Sequence, residues 1–282
     1  MTRTIDLLAW TGARIGKPPG WERIVRWFAP PERFRGTPAI CLERDGMAFV
    51  AQPWVPLGWH VAMFGTYEPE LRSLMRALLP AGGVAIDVGA NVGWHTLLMA
   101  RLAGANGRVL AVEANPSVRQ VLDRNIALNR FSNVEVVPVI VSDHEGAHGF
   151  FSPPAEDQAS GDGYVVMGNV AQSNVIQVES RRLDTIAAAS RLERLDFLKI
   201  DVEGWEWPAL QSAEETIARF RPNIVFEYND EYVSRGGGTP EAFTGFLARH
   251  RYQGFAIGRN WASAIEAGHW PSCANVLAVP GR

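Results

Sequence analysis

Hydrophobic and polar positions along the chain fall into two textures that change near residue 84. Before it, Trp21, Ile24, Val25 and Phe28 recur at i, i+3, i+4 and i+7, the spacing of one helix face, and Pro30 and Pro31 end that helix. The runs A-I-C-L-E and M-A-F-V-A-Q flank R-D-G, which predicts a hairpin turning at Asp45-Gly46. Leu71, Leu74, Met75, Leu78 and Leu79 predict a helix over 68–79, closed by Pro80 and the Gly82-Gly83 pair. Residues 1–66 thus read as an accessory region of helix and hairpin, and 67–282 as the main domain.

After residue 84, short apolar runs alternate with helical stretches. The runs are V-A-I-D-V, R-V-L-A-V-E, V-E-V-V-P-V-I-V, D-F-L-K-I-D-V and N-I-V-F-E-Y, with helices to about Ala103, over 116–129 and from about Trp205. Strands alternating with helices predict a parallel sheet wound through right-handed crossovers. Residues 145–180 are richer in Gly, Ser, Pro and Asp and carry Y-V-V-M and N-V-I-Q-V, which predicts an inserted β-hairpin region with a mobile loop near 152–163. A helix near 240–250 is followed by Y-Q-G-F-A-I and A-N-V-L-A-V, expected to close the sheet as antiparallel strands. The predicted fold is α/β: a Rossmann-like, mostly parallel sheet with an antiparallel closing strand, a small N-terminal α+β extension and a β-hairpin insertion.

The strongest chemical signal is V-A-I-D-V-G-A-N-V-G-W-H-T, residues 84–96. A strand ends at Asp87-Val88, Gly89 lets the chain turn tightly, and Gly93 lets the following helix pack closely. The first amides of that helix point into the crevice beyond the strand ends, where open α/β sheets bind ligands. Glu113 ends the second run, 20 residues after Gly93, where such folds place an acid on ribose hydroxyls. A dinucleotide fingerprint needs glycines where this chain has Asn91 and Trp94. Asp87 disfavours a pyrophosphate and favours a cation, unless it merely caps the turn. S-adenosylmethionine carries a sulfonium and an ammonium and no phosphate, so electrostatics favour it over a nicotinamide cofactor.

Asp87-Val-Gly-Ala-Asn-Val-Gly93, Val-Glu113-Ala-Asn-Pro116 and Leu198-Lys-Ile-Asp-Val-Glu-Gly204 together resemble the FkbM-type methyltransferases. Tyr67-Glu68-Pro69-Glu70 and Ser180-Arg-Arg-Leu-Asp-Thr185 are similar too, and the resemblance spans roughly 65–230. It implies the class I methyltransferase fold and methylation mainly of hydroxyl groups on natural products and sugars. It implies S-adenosyl-L-methionine at Asp87, Gly89, Asn91, Gly93 and Glu113, with adenine near Ser142-Asp143. It does not identify the acceptor.

An alcohol acceptor must lose a proton, so a base within hydrogen-bond reach is expected. Asp201 is the first candidate, at the C-terminal edge of the sheet; Lys199, Asp201 and Glu203 alternate, and a salt-bridged rim is the competing reading. His95, just past the glycine turn, is the second candidate, or else an orienting group. Glu68, Glu203 and Glu227 are candidates for a substrate-facing or structural rim. No close ligand pair with recognised metal spacing occurs, so no required metal is expected. N-methylation of a small molecule or peptide, a nicotinamide-dependent oxidoreductase and a non-catalytic binding module remain alternatives.

Composition adds exclusions. Hydrophobic residues make up 47% and charged residues 20% of 282, ordinary for a packed domain. The net charge of −3, with no basic stripe, argues against nucleic acid, and the overall balance does not suggest an anionic membrane. No apolar run approaches the ~18 residues of a transmembrane segment, and the first ten residues make a poor signal peptide. Cys41 and Cys273, far apart in sequence, exclude a disulfide framework and fit a reducing, cytoplasmic setting. The ten tryptophans suit packing or an aromatic-lined pocket. The expected partner is a small-molecule or glycan acceptor; oligomeric state is left open.

Overall fold

The computed structural model describes residues 20–153, 163–166, 173–258, 261–266 and 269–281. The signal-peptide reading of the first ten residues and most of the loop expected near 152–163 lie outside them.

The accessory region holds α1 (Trp21–Phe28), a 3-10 turn, the hairpin β1 (Ile40–Arg44) and β2 (Met47–Ala51), and α2 (Pro56–Phe64). Asp45 and Gly46 both adopt positive φ, as a two-residue hairpin turn requires. Helix α2 has no counterpart in the sequence reading: it is apolar nearly all round, so it shows no stripe, and it is buried on most sides. Helix α1 departs from expectation in its orientation. Val25 is buried and Trp21 half-buried, while Ile24 and Phe28, expected on the same inward face, are exposed.

The helix α3 (Pro69–Leu78) leads into β3 (Val84–Val88), α4 (Trp94–Ala103), β4 (Arg108–Val112), α5 (Pro116–Leu128) and β5 (Val134–Val137). Pro138 divides the run expected as one third strand. It can donate no ladder hydrogen bond, so β5 stops before it and β6 (Ile140–Val141) joins a second sheet. There β6 pairs in parallel with β9 (Val175–Arg181), which pairs antiparallel with β7 (Gly146–Phe151), and β7 with β8 (Tyr164–Val166). The insertion is thus larger than a hairpin.

The chain returns through α6 (Leu183–Ala189), β10 (Phe197–Ile200), α7 (Glu206–Gln211), α8 (Glu214–Phe220) and β11 (Asn223–Asn229). It ends with α9 (Pro240–Arg249), β12 (Tyr252–Gly258), β13 (Trp261–Ala264) and β14 (Cys273–Pro280). The main sheet has the order β13-β12-β14-β11-β10-β3-β4-β5. The five strands β11 to β5 are parallel, and β14 is inserted antiparallel between β11 and β12. Of the two closing runs, only β14 runs against β11; β12 opposes β14 and so runs with it.

Side-chain alternation along the parallel strands splits the core. Ala85, Val109, Phe197 and Val225 face a core that also holds Val25, Phe49, Trp59 and Trp94. Ile86, Leu110, Leu198 and Ile224 face the opposite core, with Phe226 and Phe243. Among the described residues, no helix is long and apolar enough to cross a membrane.

Asn125 joins the accessory hairpin to the glycine turn. Its fully buried amide accepts from the Val50 N–H at 2.8 Å and donates to the Val92 carbonyl at 2.8 Å. Asn125→Ala leaves both backbone groups unpaired in the core. It should cost about 2–4 kcal/mol, read as a lower midpoint in denaturant unfolding; an unchanged midpoint would refute the coupling.

Candidate functional site

The glycine turn is fixed from several sides. The amides of Gly89 and Ala90 both donate to the Val112 carbonyl at 3.0 Å. A Cβ on Gly89, at φ 76°, would lie 1.8 Å from the Asp201 carbonyl oxygen, so β10 approaches as closely as only glycine permits. Asn91 sits at φ 51°. Gly93, at φ 93°, precedes α4, and a Cβ there would meet Leu122 of α5 at 2.7 Å. The carboxylate of Glu113 accepts from the Asn91 amide through Oε2 and from the Asn115 amide through Oε1, both at 2.8 Å. Burial nevertheless pushes this carboxyl above its usual range, outweighing the two amide bonds.

Beyond the C-terminal ends of the parallel strands lies a cavity of about 220 Å³. Toward β4 and β5 its wall is Glu113, Val118 and Ile140, with Phe150, Val165 and Trp205 completing an apolar slot. Toward β10 and β11 it is acidic: Asp201, Glu203 and Glu227. Tyr67 and Glu68, just before α3, and His95 of α4 also line it. One end therefore offers a carboxylate and apolar surface, suited to a diol and a flat ring. The other offers negative charge, suited to a cation.

Lys199 is nearly sealed from water at 3% exposure. Its Nζ lies 3.0 Å from Asp201 Oδ2 and 3.5 Å from Asp87 Oδ1. Lys199 and Asp87 are register partners on β10 and β3. Burial alone would lower the ammonium's pKa, but the charges of Asp201, Asp87 and Glu68 hold it well above the ordinary lysine range. Asp87 also accepts from Thr96 Oγ1 at 2.6 Å.

His95 and Glu68 face each other, Nε2 to Oε2 at 2.8 Å, and Glu68 Oε1 accepts from Asn275 Nδ2 at 3.0 Å. Burial would raise the Glu68 carboxyl; His95, Lys199 and Asn275 together hold it well below the usual range. His95 Nδ1 is buried and has no hydrogen-bond partner among the described residues.

Asp201, Glu206 and Glu227 each bring a carboxylate oxygen within 4.8 Å of the others, a grouping that could hold a metal ion. Sequence spacing gave no sign of it, because the three come from the end of β10, the first residue of α7 and β11. Glu206 accepts from the amides of Val202 and Gly204. Burial raises it to about 7. Burial, then the charges of Asp201, Glu203 and Glu68, raise Glu227 to about 8.

Of the residues singled out in the sequence, Glu68, Gly89, Asn91, His95, Glu113, Asp201, Glu203 and Glu227 line this cavity. Asp87, Gly93, Ser142 and Asp143 do not. Asp87 is fully buried, with the Lys199 ammonium 3.5 Å from its Oδ1, and that oxygen has no hydrogen-bond partner among the described residues. Ser142, also fully buried, accepts from the Trp205 indole N–H at 3.4 Å and bonds Asp143, so it supports a wall residue from behind. The wall at that point is Val139, Ile140 and Val141. Glu203 reaches the cavity by a different route from the expected alternation: β10 ends at Ile200, and Glu203 sits in a turn at φ 54°. The sequence reading gave no site role to Tyr67, Trp205 or Glu206. Tyr67 had a signal in its place beside Glu68.

Glu113→Ala should weaken S-adenosylmethionine binding by about 1.5–3 kcal/mol, the scale of hydrogen bonds to a charged group. Calorimetry returning wild-type affinity would remove Glu113 from the site. The acidic cluster gives a pH test. A glutamate raised from 4.5 to about 8 keeps a proton in the folded state that the unfolded chain has already released. Stability contributed by that proton is present below about pH 4.5 and is lost as pH rises through about 8. Glu227→Gln should flatten the fall in melting temperature across that window; a slope equal to wild type would contradict the assignment.

The Methyltransferase FkbM domain family matches residues 87–255, more than half of the chain. The AMB antimetabolite synthetase AmbE of Pseudomonas aeruginosa is 30% identical over 220 residues, which cover 66% of this chain and 10% of that protein. The arginine N(omega)-methyltransferase of Streptomyces achromogenes is 35% identical over 111 residues, covering 38% of this chain and 28% of that one. The chain thus spans well under two thirds of the length of these relatives. Among solved structures, a methyltransferase FkbM from Methylobacillus flagellatus superposes with a TM-score of 0.45 at 14% identity, covering 78% of this chain and 52% of that one. The match over 87–255 takes in the turn at Gly89 and the strands on either side of it, and covers more than half of the chain: the chain belongs to the FkbM methyltransferase family.

Proposed function

We propose that the chain is an S-adenosylmethionine-dependent methyltransferase that acts in the cytoplasm on a hydroxyl group of a small molecule, natural product or sugar. The supporting observation is the Lys199–Asp201 pair: a buried ammonium fixes a carboxylate in the cavity wall, where an acceptor proton needs a receiver. The residues present fit the methyl donor. Glu113 keeps lone pairs beyond its two amide bonds for a ribose diol, and Ile140, Phe150 and Val165 provide apolar surface for adenine. Glu68 and Asp201 line the cavity with carboxylates suited to the donor's sulfonium and ammonium. The donor, when bound, supplies a methyl group on a positively charged sulfur, so the protein's tasks are positioning, exclusion of water and proton removal.

Asp201 would accept the hydrogen bond of the acceptor hydroxyl and take up its proton. Lys199 holds Asp201 in place from below. His95, its Nε2 fixed by Glu68, orients the acceptor from the opposite wall. The exposed, unpaired thiols of Cys41 and Cys273 suit the cytoplasm.

A second reading is N-methylation. The acidic rim of Glu68, Asp201, Glu203 and Glu227 also suits a protonated amine or guanidinium, and the similar Streptomyces protein is named for arginine. Asp201→Asn separates the two. For an alcohol, turnover should fall by about 10²–10⁴-fold, with S-adenosylmethionine affinity by calorimetry nearly intact. Initial rates over a panel of alcohols and amines that are insensitive to the substitution would favour nitrogen. A matching loss of donor affinity would assign Asp201 to binding.

A further inference from the structure

Helix α1 carries an apolar stripe of which the protein uses only one edge. Val25 is buried at 3% exposure, and Trp59 Nε1 donates to the Ala29 carbonyl at 2.8 Å, which fastens the C-terminal end of the helix to α2. Glu22 pairs with His60 Nε2 at 3.0 Å and fastens the other end. The opposite edge faces outward. Ile24, Trp27 and Phe28 are 49%, 77% and 60% exposed and stand at i, i+3 and i+4, so they form one contiguous patch. The rings of Trp27 and Phe28 stack edge to face at 4.5 Å. Isolated exposed apolar residues are ordinary, but two aromatics and an isoleucine on one turn mark an interaction surface.

The charge around this patch names its partner. Arg23, Arg26 and Arg33 are exposed beside it. Residues 1–36 hold seven basic and three acidic side chains, a formal +4 in a chain whose total is −3. One of those acids, Glu22, is engaged by His60. A second copy of the chain meeting the patch symmetrically would bring like charges together. Residues 1–19 carry Arg3, Asp6, Arg14 and Lys17, so as a cover they too would add positive charge to positive. An aliphatic and two aromatic groups framed by arginines match a surface that is negative at its face and apolar just beneath.

We propose that α1 is a membrane-surface contact: Ile24, Trp27 and Phe28 seat at the headgroup–acyl boundary of an anionic bilayer while Arg23, Arg26 and Arg33 meet its headgroups. The helix lies on the bilayer and does not cross it. This surface is separate from the cavity and stands independently of which acceptor the enzyme uses. Its fastenings matter, because α2 contributes Pro56 and Leu57 to the cavity wall. A bilayer held by α1 is therefore joined to the crevice through α2, whose Trp59 and His60 hold α1 at its two ends.

The test is co-sedimentation of the full chain with vesicles, at low and high salt, using three parts phosphatidylcholine to one part phosphatidylglycerol and phosphatidylcholine alone. The chain should sediment with the anionic vesicles, much less with the neutral ones, and less again at high salt. The double variant Trp27→Ala/Phe28→Ala and the double variant Arg23→Gln/Arg26→Gln should each lower the partition coefficient by about tenfold or more, with unchanged melting temperature. Three results would overturn the proposal: no sedimentation with anionic vesicles, wild-type binding by both variants, or a solution dimer by light scattering that Trp27→Ala/Phe28→Ala converts to monomer. The last would give the patch to a second copy.

Discussion

The ammonium of Lys199 lies beneath the mouth of the crevice, with Asp87 on the neighbouring strand and Asp201 at the end of its own. A lone charge so deeply buried would be strongly unfavourable, and with either carboxylate removed much of that penalty would return. The pairing requires β3 and β10 side by side in the observed register, which puts Lys199 directly opposite Asp87. It also requires the two chains to separate only after that point. There the Asp201 amide still bonds the Val88 carbonyl, and Gly89 passes so close to Asp201 that no side chain fits between them. The centre of the sheet, the glycine turn and the acidic wall are thus parts of one electrostatic and steric arrangement.

Much of this was legible along the chain, because strand ends in a parallel sheet all open onto one edge. Glu113, Asp201 and Glu227 each close an apolar run, and the fold carries such positions to the cavity whatever lies between them. Relations across strands were not legible. The match of Lys199 to Asp87 depends on strand order, and the contact of Glu68 with Asn275 joins residues 207 apart. Asp87 shows the cost of reading a residue alone: in sequence it is an acid beside a turn, whereas in the fold it answers an internal lysine. Ser142 is similar, being adjacent in sequence to wall residues but displaced from the wall by the path of the second sheet.

The accessory region shows a related limit. An apolar stripe tells which positions avoid water, not which protein surface, if any, covers them. In α1 the stripe is wider than the surface it packs on, so the same residues that predict the helix leave an exposed patch. In α2 the opposite holds: burial on most sides removes the stripe, and the helix goes unseen. The near-neutral total charge also hides the strongly uneven distribution between the first 36 residues and the rest.

Glu68, Asn91 and Glu203 all line the cavity, and all three hold positive φ although they carry side chains. Such conformations cost side-chain-bearing residues about 1–3 kcal/mol and persist only where the surroundings enforce them. This limits how the pocket can be rebuilt, whether by evolution or at the bench. Valine, isoleucine and threonine are disfavoured at these three positions by the backbone alone, whatever their fit to a new ligand. Glycine, asparagine and aspartate are admitted. Changes in what the cavity binds are therefore channelled toward neighbours with ordinary backbone geometry, while at these three sites the accessible repertoire is narrow and polar.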